Sequence, residues 1–328
     1  MFIRRSPTVL LTSILINTMK LSVVIPAFNE SENIEATIVE VAEIVKSSPE
    51  IADYQIIIVD DHSSDNISEI IENLKVANLE YIRLSRQSGS HIAARAGLAL
   101  ADGDVILVMA ADGQDNPNIL PEMVRMHQQG FHTIWALRED RKNESWLTKL
   151  PAFLFYKILN FFSEAPQNID LSRADFYMVD KMVKDSVMAC TETETSLYGL
   201  ISWVGFNQGT VVYPRRDRRS GSSKWSFKSR LKLAKDWIVA FSGVPLKLIS
   251  WAGALVAFLG VIYAFYIFIN YLLGAPVAGW SSIMITLLIL GGGQMAMLGV
   301  IGEYLWKNMN ETRRRPLYFV EKQINKKP

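Results

Sequence analysis

The sequence predicts a doubly wound α/β domain followed by a helical membrane hairpin, and three patterns indicate it. Residues 21–30 and 55–65 are continuous aliphatic and β-branched runs that end in acidic, polar loops, as expected for strands buried on both faces of a parallel sheet. Strand-like and helix-like segments alternate along residues 20–140, which is typical of α/β domains. Residues 248–273 and 281–302 carry no charged side chain.

The first two strands and the segment between them form a predicted βαβ unit. Residues 31–48 have apolar side chains at helical spacing, and Ser31 is a candidate N-cap. Ligands of open α/β sheets bind at the carboxyl ends of the strands, where Glu30, Asp60 and Asp61 lie. No glycine-rich loop follows the first strand, which argues against a dinucleotide fold or a P-loop. The pattern favours a nucleotide held by carboxylates and a metal ion.

A second acidic loop follows the buried strand near residue 108 and contains Asp112, Gln114 and Asp115. Side chains two positions apart in an extended segment point the same way. Carboxylate and amide oxygens suit Mg²⁺ or Mn²⁺ with phosphate and water as further ligands, and such an ion stabilises a diphosphate leaving group. An ordinary acidic turn is the alternative, and the neighbouring acidic strand ends favour the metal site.

The two uncharged stretches are long enough to cross a membrane. The first has 26 residues, about 39 Å as a helix at ~1.5 Å per residue, against a hydrocarbon core of roughly 30 Å. Basic residues 215–219 precede the hairpin and 313–315 follow it, so the positive-inside rule places both termini and the α/β domain in the cytoplasm. Two buried helices of a soluble core are the alternative.

These patterns divide the chain into five predicted parts. Residues 1–18 resemble a signal peptide but lack a small-residue cleavage site and abut the first strand, so we interpret them as a disordered or misannotated extension with Met19 as the true start. The others are the α/β domain with juxtamembrane helices at its end (19–230), an interfacial amphipathic helix (231–246), the membrane hairpin (247–306) and a cytoplasmic tail (307–328). A core-packed helix is the alternative for the amphipathic segment.

Composition limits the partners. A net charge of +1 over 328 residues gives no general attraction to nucleic acid, and the single cysteine, Cys190, excludes an internal disulfide. Part of the basic cluster before the hairpin is explained by topology and by anionic lipid, at roughly 1 kcal/mol per residue near the surface. A homo-oligomer is compatible with this arrangement.

Several motifs in order, VVIPAFNE, VDDHSSD, SRQSG and MAADGQD, resemble the family 2 glycosyltransferases of GT-A fold. LYGLISWVGF, RRSGSSKW and the hairpin narrow the resemblance to the polyprenyl-phosphate glycosyltransferases, relatives of dolichol-phosphate mannose synthase and of the bactoprenol glucosyltransferases. The resemblance covers residues 20 to about 310. It implies transfer of a sugar from a UDP- or GDP-sugar, with UDP favoured, to a polyprenyl phosphate.

The resemblance also implies roles for individual residues. Asp112 and Gln114 would bind Mg²⁺ or Mn²⁺, with Asp115 or Asp60 as a substitute ligand. Asp112 and Asp175 would be the catalytic carboxylates. The lipid phosphate would meet Arg218, Ser223 and Lys224. The nucleotide-sugar would contact Pro26, Ala27, Glu30, Asp60, Asp61 and Arg86. Because the second ionisation of a phosphate monoester lies near ~6, the acceptor is already anionic at neutral pH, and direct attack on the anomeric carbon would invert its configuration.

Four departures from the family pattern stand in these motifs. Ala110 replaces the first carboxylate of the metal loop, His62 replaces a glycine, Ser90-His91 replaces a Lys-Glu pair, and Tyr177 replaces an arginine. A relative weakened by Ala110 that acts as a scaffold or regulator of membrane glycosylation is therefore the alternative function. A polysaccharide-extending enzyme is less favoured, because two spans are too few to build a channel.

Overall fold

The computed structural model describes residues 18–139, 175–192, 195–214, 216, 244–273 and 279–326. Eight strands in these ranges form one sheet: β1 (Met19–Ala27), β2 (Ile51–Asp60), β3 (Leu79–Leu84), β4 (Val105–Val108), β5 (Thr133–Arg138), β6 (Phe176–Asp180), β7 (Gln208–Tyr213) and β8 (Val320–Lys326). Their order across the sheet is β7-β5-β6-β4-β1-β2-β3-β8. The pairs β4·β1, β1·β2, β2·β3 and β5·β7 are parallel.

Helices cover both faces of this sheet, as the alternation of patterns predicts. The described helices are α1 (Ile34–Ser47), α2 (Ile67–Asn73), α3 (Ser90–Leu100), α4 (Leu120–Gln128), α5 (Lys181–Ala189), α6 (Leu197–Trp203), α7 (Val244–Leu272) and α8 (Trp280–Thr312), with a 3₁₀ turn at Pro117–Ile119. Helices α1, α2 and α4 pack on one face, and α3, α5 and α6 pack on the other. The prediction of a doubly wound α/β domain is confirmed.

The central strand β1 shows why its sequence has no polar alternation. Leu21, Val23 and Ile25 pack into the core under α1, whereas Val24 packs into the opposite core under α3. All four are fully buried, because β1 lies between β2 and β4 with helices on both sides. A strand in this position is buried on both faces and therefore mostly apolar, and its buried Ser22 donates its hydroxyl to Gln55 Oε1 at 3.1 Å.

The predicted N-cap of α1 is wrong. The helix begins at Ile34 with Asn33 in the N-cap position, three residues after the start of the helical pattern. Ser31 instead donates its backbone N–H to Asp65 Oδ2 at 2.9 Å. Residues 30–33 therefore form a turn that is tied to the loop after β2, where local spacing alone suggested helix.

Two strands of the sheet run antiparallel to their neighbours. β6 lies antiparallel between β4 and β5, and β8 lies antiparallel to β3 at the other edge. β8 belongs to the segment 307–328 that the sequence analysis assigned to a cytoplasmic tail. The membrane hairpin is thus inserted between β7 and β8 of one sheet, and the chain on both sides of the hairpin belongs to one domain.

The helices α7 and α8 form the predicted hairpin. Residues Ile249–Asn270 and Ser282–Thr312 are long and apolar enough to cross a membrane, with mean hydropathies of 2.3 and 1.9. The most apolar window of each helix has none of its residues buried, which disfavours the alternative of two buried core helices. Residues 231–243 of the predicted interfacial helix 231–246 lie outside the described residues, and so do residues 1–17 of the predicted extension 1–18.

Gly97 lies where helix α3 packs tightly against the sheet. A Cβ atom there would lie 2.2 Å from Val24 Cγ1 and 3.2 Å from Val59 Cγ2. We expect Gly97→Ala to destabilise the protein by about 1–3 kcal/mol through overpacking, although alanine is the better helix former by about 1 kcal/mol. Thermal unfolding of the detergent-solubilised protein measures this, with exposed Ala99→Ser in the same helix as the control. A higher melting temperature for Gly97→Ala would contradict the packing argument.

Candidate active site

The carboxyl ends of β1 and β2 lie side by side, because Pro26 pairs with Val59 and Ala27 with Asp60. The Asp61 N–H donates to the Ala27 carbonyl at 2.9 Å. Glu30 follows β1 and is partly exposed, and its Oε2 accepts from Asn33 Nδ2 at 2.7 Å. The two loops proposed to hold the nucleotide are therefore joined by backbone contacts.

Asp60 is fully buried beneath this edge. Its Oδ1 accepts from the Ser63 N–H at 2.7 Å, and its Oδ2 accepts from Tyr81 Oη at 2.7 Å and from Arg83 at 2.9 Å. Buried carboxylates need such partners, and here they come from β3 and from the loop itself. Both carboxylate oxygens of Asp60 thus hold the loop from below, and the nucleotide contact that the resemblance implied for Asp60 stays a prediction.

Asp61 closes the neighbouring loop. Its two carboxylate oxygens accept from the N–H groups of Ser88 and Gly89 at 2.6 and 2.7 Å. These donors immediately precede α3, so the carboxylate ties the loop after β2 to the loop after β3. Burial raises the pKa of Asp61, although the two N–H donors oppose that shift. Arg86, in the same β3 loop, is exposed.

The acidic loop after β4 is folded around Asp115. Asp115 Oδ2 accepts from the Ala110 N–H at 2.8 Å, and Oδ1 accepts from Tyr213 Oη at 2.8 Å. Burial, and secondarily the Asp175 carboxylate, raises the pKa of Asp115 to about 7. Both oxygens of Asp115 therefore hold the loop in shape, which disfavours its expected use as a substitute metal ligand.

Asp112 and Gln114 are the remaining candidate ligands for a cation. Asp112 is buried, and its Oδ1 accepts from the Gln114 N–H at 3.1 Å, across Gly113 with a φ of 72°. Within the described residues, no three acidic, histidine or cysteine side chains are grouped so that they could hold a metal ion. The donor set fits a Mg²⁺ or Mn²⁺ ion only if a diphosphate and water complete the coordination.

Asp175 lies beside the acidic loop, at the start of the strand next to β4. It immediately precedes β6, whose Tyr177 pairs with Val108 at the end of β4. Its carboxylate lies 3.4 Å from Arg138 at the end of β5. The structure thus brings Asp175 to the same edge as Asp112 and Asp115, although it lies on a separate segment of the chain.

The basic segment before the hairpin starts at the same loop. The Arg216 N–H donates to the Gln114 carbonyl at 3.1 Å. The Arg216 guanidinium contacts Glu40 at 2.5 Å and Asn116 Oδ1 at 2.7 Å. The predicted phosphate-binding residues follow within the next few positions, but they lie outside the described residues: Arg218, Ser223 and Lys224.

Two of the departures from the family pattern meet in the fold. His91, at the start of α3, and Tyr177, on β6, both contact the ring of Tyr198 on α6, at centroid distances of 4.6 and 5.7 Å. His91 Nδ1 and Tyr177 Oη are buried without a hydrogen-bond partner in the described part of the chain. His91 and Tyr177 therefore belong to an aromatic, uncharged cluster, whereas the family usually has charged residues at these two positions.

His62 occupies a position that favours glycine. Its φ is 62°, in the left-handed region, which costs a non-glycine residue roughly 1–2 kcal/mol. Its Nδ1–H donates to the Leu84 carbonyl at 3.1 Å, and this contact with the end of β3 offsets part of the cost. No catalytic role follows from this geometry.

The sequence analysis did not identify four supporting residues. Tyr81 and Arg83 hold Asp60, Tyr213 holds Asp115, and Arg216 contacts the metal loop. Arg216 was noted only as part of the basic cluster. The other three lie in strand segments, where their polar ends had no local signal to distinguish them from ordinary strand residues.

The mixed sheet, the acidic edge and the membrane hairpin define a membrane-attached glycosyltransferase of GT-A type. Residues 22–186 match the model described as "Glycosyl transferase family 2", and residues 244–307 match the model described as "GtrB C-terminal hairpin". The chain belongs to glycosyltransferase family 2.

Curated relatives extend along nearly the whole chain. The uncharacterized glycosyltransferase YkcC of Bacillus subtilis is 35% identical over 304 residues, which cover 92% of this chain and 93% of the relative. The SfII prophage-derived bactoprenol glucosyl transferase of Shigella flexneri is 32% identical over 307 residues, covering 93% and 98%. The solved structure of mannosyl-3-phosphoglycerate synthase from Rubrobacter xylanophilus aligns with a TM-score of 0.47 at 16% identity, covering 72% of this chain and 75% of that chain.

The His91 environment predicts a pH effect on stability. Burial lowers the pKa of His91 from 6.5 to about 4, so between these values the folded state binds fewer protons than the unfolded chain. Stability is therefore lost as the pH falls from 6.5 to 4. We expect the free energy of unfolding of His91→Gln to fall by about 1–2 kcal/mol less than that of the unaltered protein over this pH window. This difference is smaller than the full pKa shift implies, because the His91 ring is partly accessible to solvent. Denaturant unfolding at both pH values measures the difference, and equal losses in the two proteins would contradict it.

Proposed function

We propose that this glycosyltransferase moves a sugar from a nucleotide-sugar, with a UDP-sugar favoured, to the phosphate of a polyprenyl lipid at the cytoplasmic face of the membrane. The relatives named bactoprenol glucosyl transferase support the acceptor class. The hairpin supports a lipid substrate, since it places the sheet domain beside the membrane.

The observation that carries the proposal is the contact between Arg216 and the metal loop. The Arg216 N–H donates to the Gln114 carbonyl, so the basic segment that leads to the hairpin starts at the loop proposed to hold the donor's diphosphate. An anionic lipid phosphate attracted by Arg218 and Lys224 would then approach the donor from the membrane side. A transferase that joins a soluble donor to a lipid acceptor needs this juxtaposition.

The residues proposed for the reaction bind and orient the two substrates. Asp61 would shape the nucleoside pocket with Pro26, Ala27, Glu30 and Arg86, and Asp60 would support it from below. Bound at Asp112 and Gln114, Mg²⁺ or Mn²⁺ would neutralise charge on the departing diphosphate. Asp175, oriented by Arg138, would stand near the acceptor. No strong general base is required, because the acceptor phosphate is ionised above a pKa of ~6.

Two observations support the proposal that both ends of the hairpin lie on the cytoplasmic side of the membrane. The pairing of β8 with β3 requires both ends of the hairpin to lie on the same side of the membrane. The basic residues 215–219 and 313–315 at those two ends favour the cytoplasmic side.

Asp112 provides the direct test of the donor site. Purified protein in detergent is incubated with a panel of radiolabelled UDP- and GDP-sugars, undecaprenyl phosphate, and Mn²⁺, Mg²⁺ or EDTA. We expect a chloroform-soluble, acid-labile product that disappears with EDTA and falls roughly 100-fold or more in Asp112→Ala, about 2.7 kcal/mol of transition-state stabilisation. Asp102→Ala, an exposed carboxylate before β4, is the matched control and keeps activity.

Two outcomes would contradict the proposal in different ways. Transfer that persists in EDTA and in Asp112→Ala would exclude the metal-assisted mechanism. No transfer from any donor, together with no nucleotide binding by calorimetry, would favour the scaffold or regulator function, with Ala110 as the cause.

The stereochemistry of the product is a separate prediction. Direct attack by the lipid phosphate oxygen on the anomeric carbon breaks the bond to the nucleoside diphosphate and inverts the configuration. An α-linked donor should therefore give a β-linked lipid product, measured from the anomeric coupling in proton NMR. Retention of configuration would show a two-step route.

A further inference from the structure

We propose that the C-terminal strand β8 is part of the donor site and that Glu321 is a positioning residue for nucleotide binding. The inference rests on the proposed function, because it concerns the loop that would hold the nucleotide. It adds a contribution from a segment that lies beyond both membrane helices and beyond residues 244–307, which match the hairpin model.

The guanidinium of Arg83 connects β8 to the turn after β2. Its Nε donates to Glu321 Oε2 at 3.0 Å. One terminal nitrogen donates to Asp60 Oδ2 and the other to the Ser63 carbonyl, each at 2.9 Å. Arg83 therefore bridges both ends of the turn that contains Asp61 and His62. A planar guanidinium can make all three contacts at once, which lysine cannot do.

Glu321 orients this guanidinium from the outer side. Glu321 is the acceptor of Arg83 that comes from β8, so it links the guanidinium and the turn to that strand. Its Oε2 also lies 3.4 Å from His62 Nδ1. The Arg83 side chain is 20% exposed and that of Glu321 is 50% exposed, so the pair is a restraint on geometry rather than a large source of stability.

The strand that carries Glu321 is fixed at many points. Lys326 Nζ donates to the carbonyls of Ile71 and Glu72 at the end of α2, and Gln323 Nε2 donates to Glu80 Oε1 at 2.8 Å. Lys322 forms an ion pair with Glu72. Such attachment gives Glu321 a defined position relative to β3.

The same strand connects the turn to the membrane. The helix α8 ends at Thr312, and β8 starts at Val320. Between them, Tyr318 packs against the core under α3, and the Ser85 N–H donates to the Phe319 carbonyl at 2.9 Å. A short, packed segment thus joins the end of α8 to the loop after β3 and, through Glu321, to the turn that contains Asp61.

The test compares nucleotide binding by variants of the full-length protein in detergent. Isothermal titration calorimetry with UDP and with GDP, each with Mn²⁺, gives the dissociation constants. We expect Glu321→Ala to weaken nucleotide binding about 2- to 5-fold, the range that a partly exposed charged pair supports, and Glu321→Gln to restore part of it. In the transfer assay, the KM for the nucleotide-sugar should rise while the KM for undecaprenyl phosphate stays constant.

Two comparisons distinguish positioning from a general loss of stability. Lys322→Gln removes an ion pair of similar exposure on the same strand. Lys322 pairs with Arg83 across the two strands, but its side chain bonds to Glu72 and Ser68 and not to the Arg83 guanidinium, so nucleotide affinity should not change. In an Arg83→Lys background, Glu321→Ala should have no further effect, because the two residues act through one contact.

The outcomes separate this inference from the proposed function. If the unaltered protein binds neither nucleotide, the proposed function fails and this inference fails with it. If the unaltered protein binds but Glu321→Ala binds as tightly as Lys322→Gln does, only the role of β8 is overturned. Additive effects of Glu321→Ala and Arg83→Lys would also overturn it.

Discussion

The parallel pairing of β1 with β2 on one side and with β4 on the other determines where this protein can bind a ligand. Parallel strands end at the same edge of a sheet, so the loops after all three strands converge without any long excursion of the chain. Because helices cover both faces, that edge is the open side of the domain. Asp61, Asp112 and the turn after β1 come together for this reason.

Hydrogen-bond donors then divide the buried aspartates of this edge into two groups. Asp60, Asp61 and Asp115 have both carboxylate oxygens occupied by donors from the protein, so they fix the shape of their loops. Asp112 sits in the loop that Asp115 supports, next to Gln114. The arrangement explains how a metal loop that has alanine at position 110 keeps a defined backbone, since the Ala110 N–H itself contributes to the support.

The membrane hairpin is an insertion into the sheet domain. The chain leaves from β7, continues into the two long apolar helices and returns as β8 to the far edge of the same sheet. The segment before the hairpin contacts the acidic loop after β4 through Arg216. The segment after the hairpin contacts the turn after β2 through Glu321 and Arg83. The domain is thus held at both sides of its acidic edge by segments that lead into the membrane.

The sequence by itself determined the βαβ unit, the acidic strand ends and the two apolar helices, because each depends on residues that are contiguous in the chain. Continuous apolar runs predict buried strands, and uncharged helices of this length predict membrane spans. The tertiary structure decided that β6 lies between β4 and β5, that β8 joins β3, and that Asp60 and Asp61 have different environments. These features depend on partners far apart in the chain, such as Arg83 and Glu321, which are 238 residues apart. Adjacent aspartates look the same in a sequence, and only the donors that the fold brings to each carboxylate distinguish them.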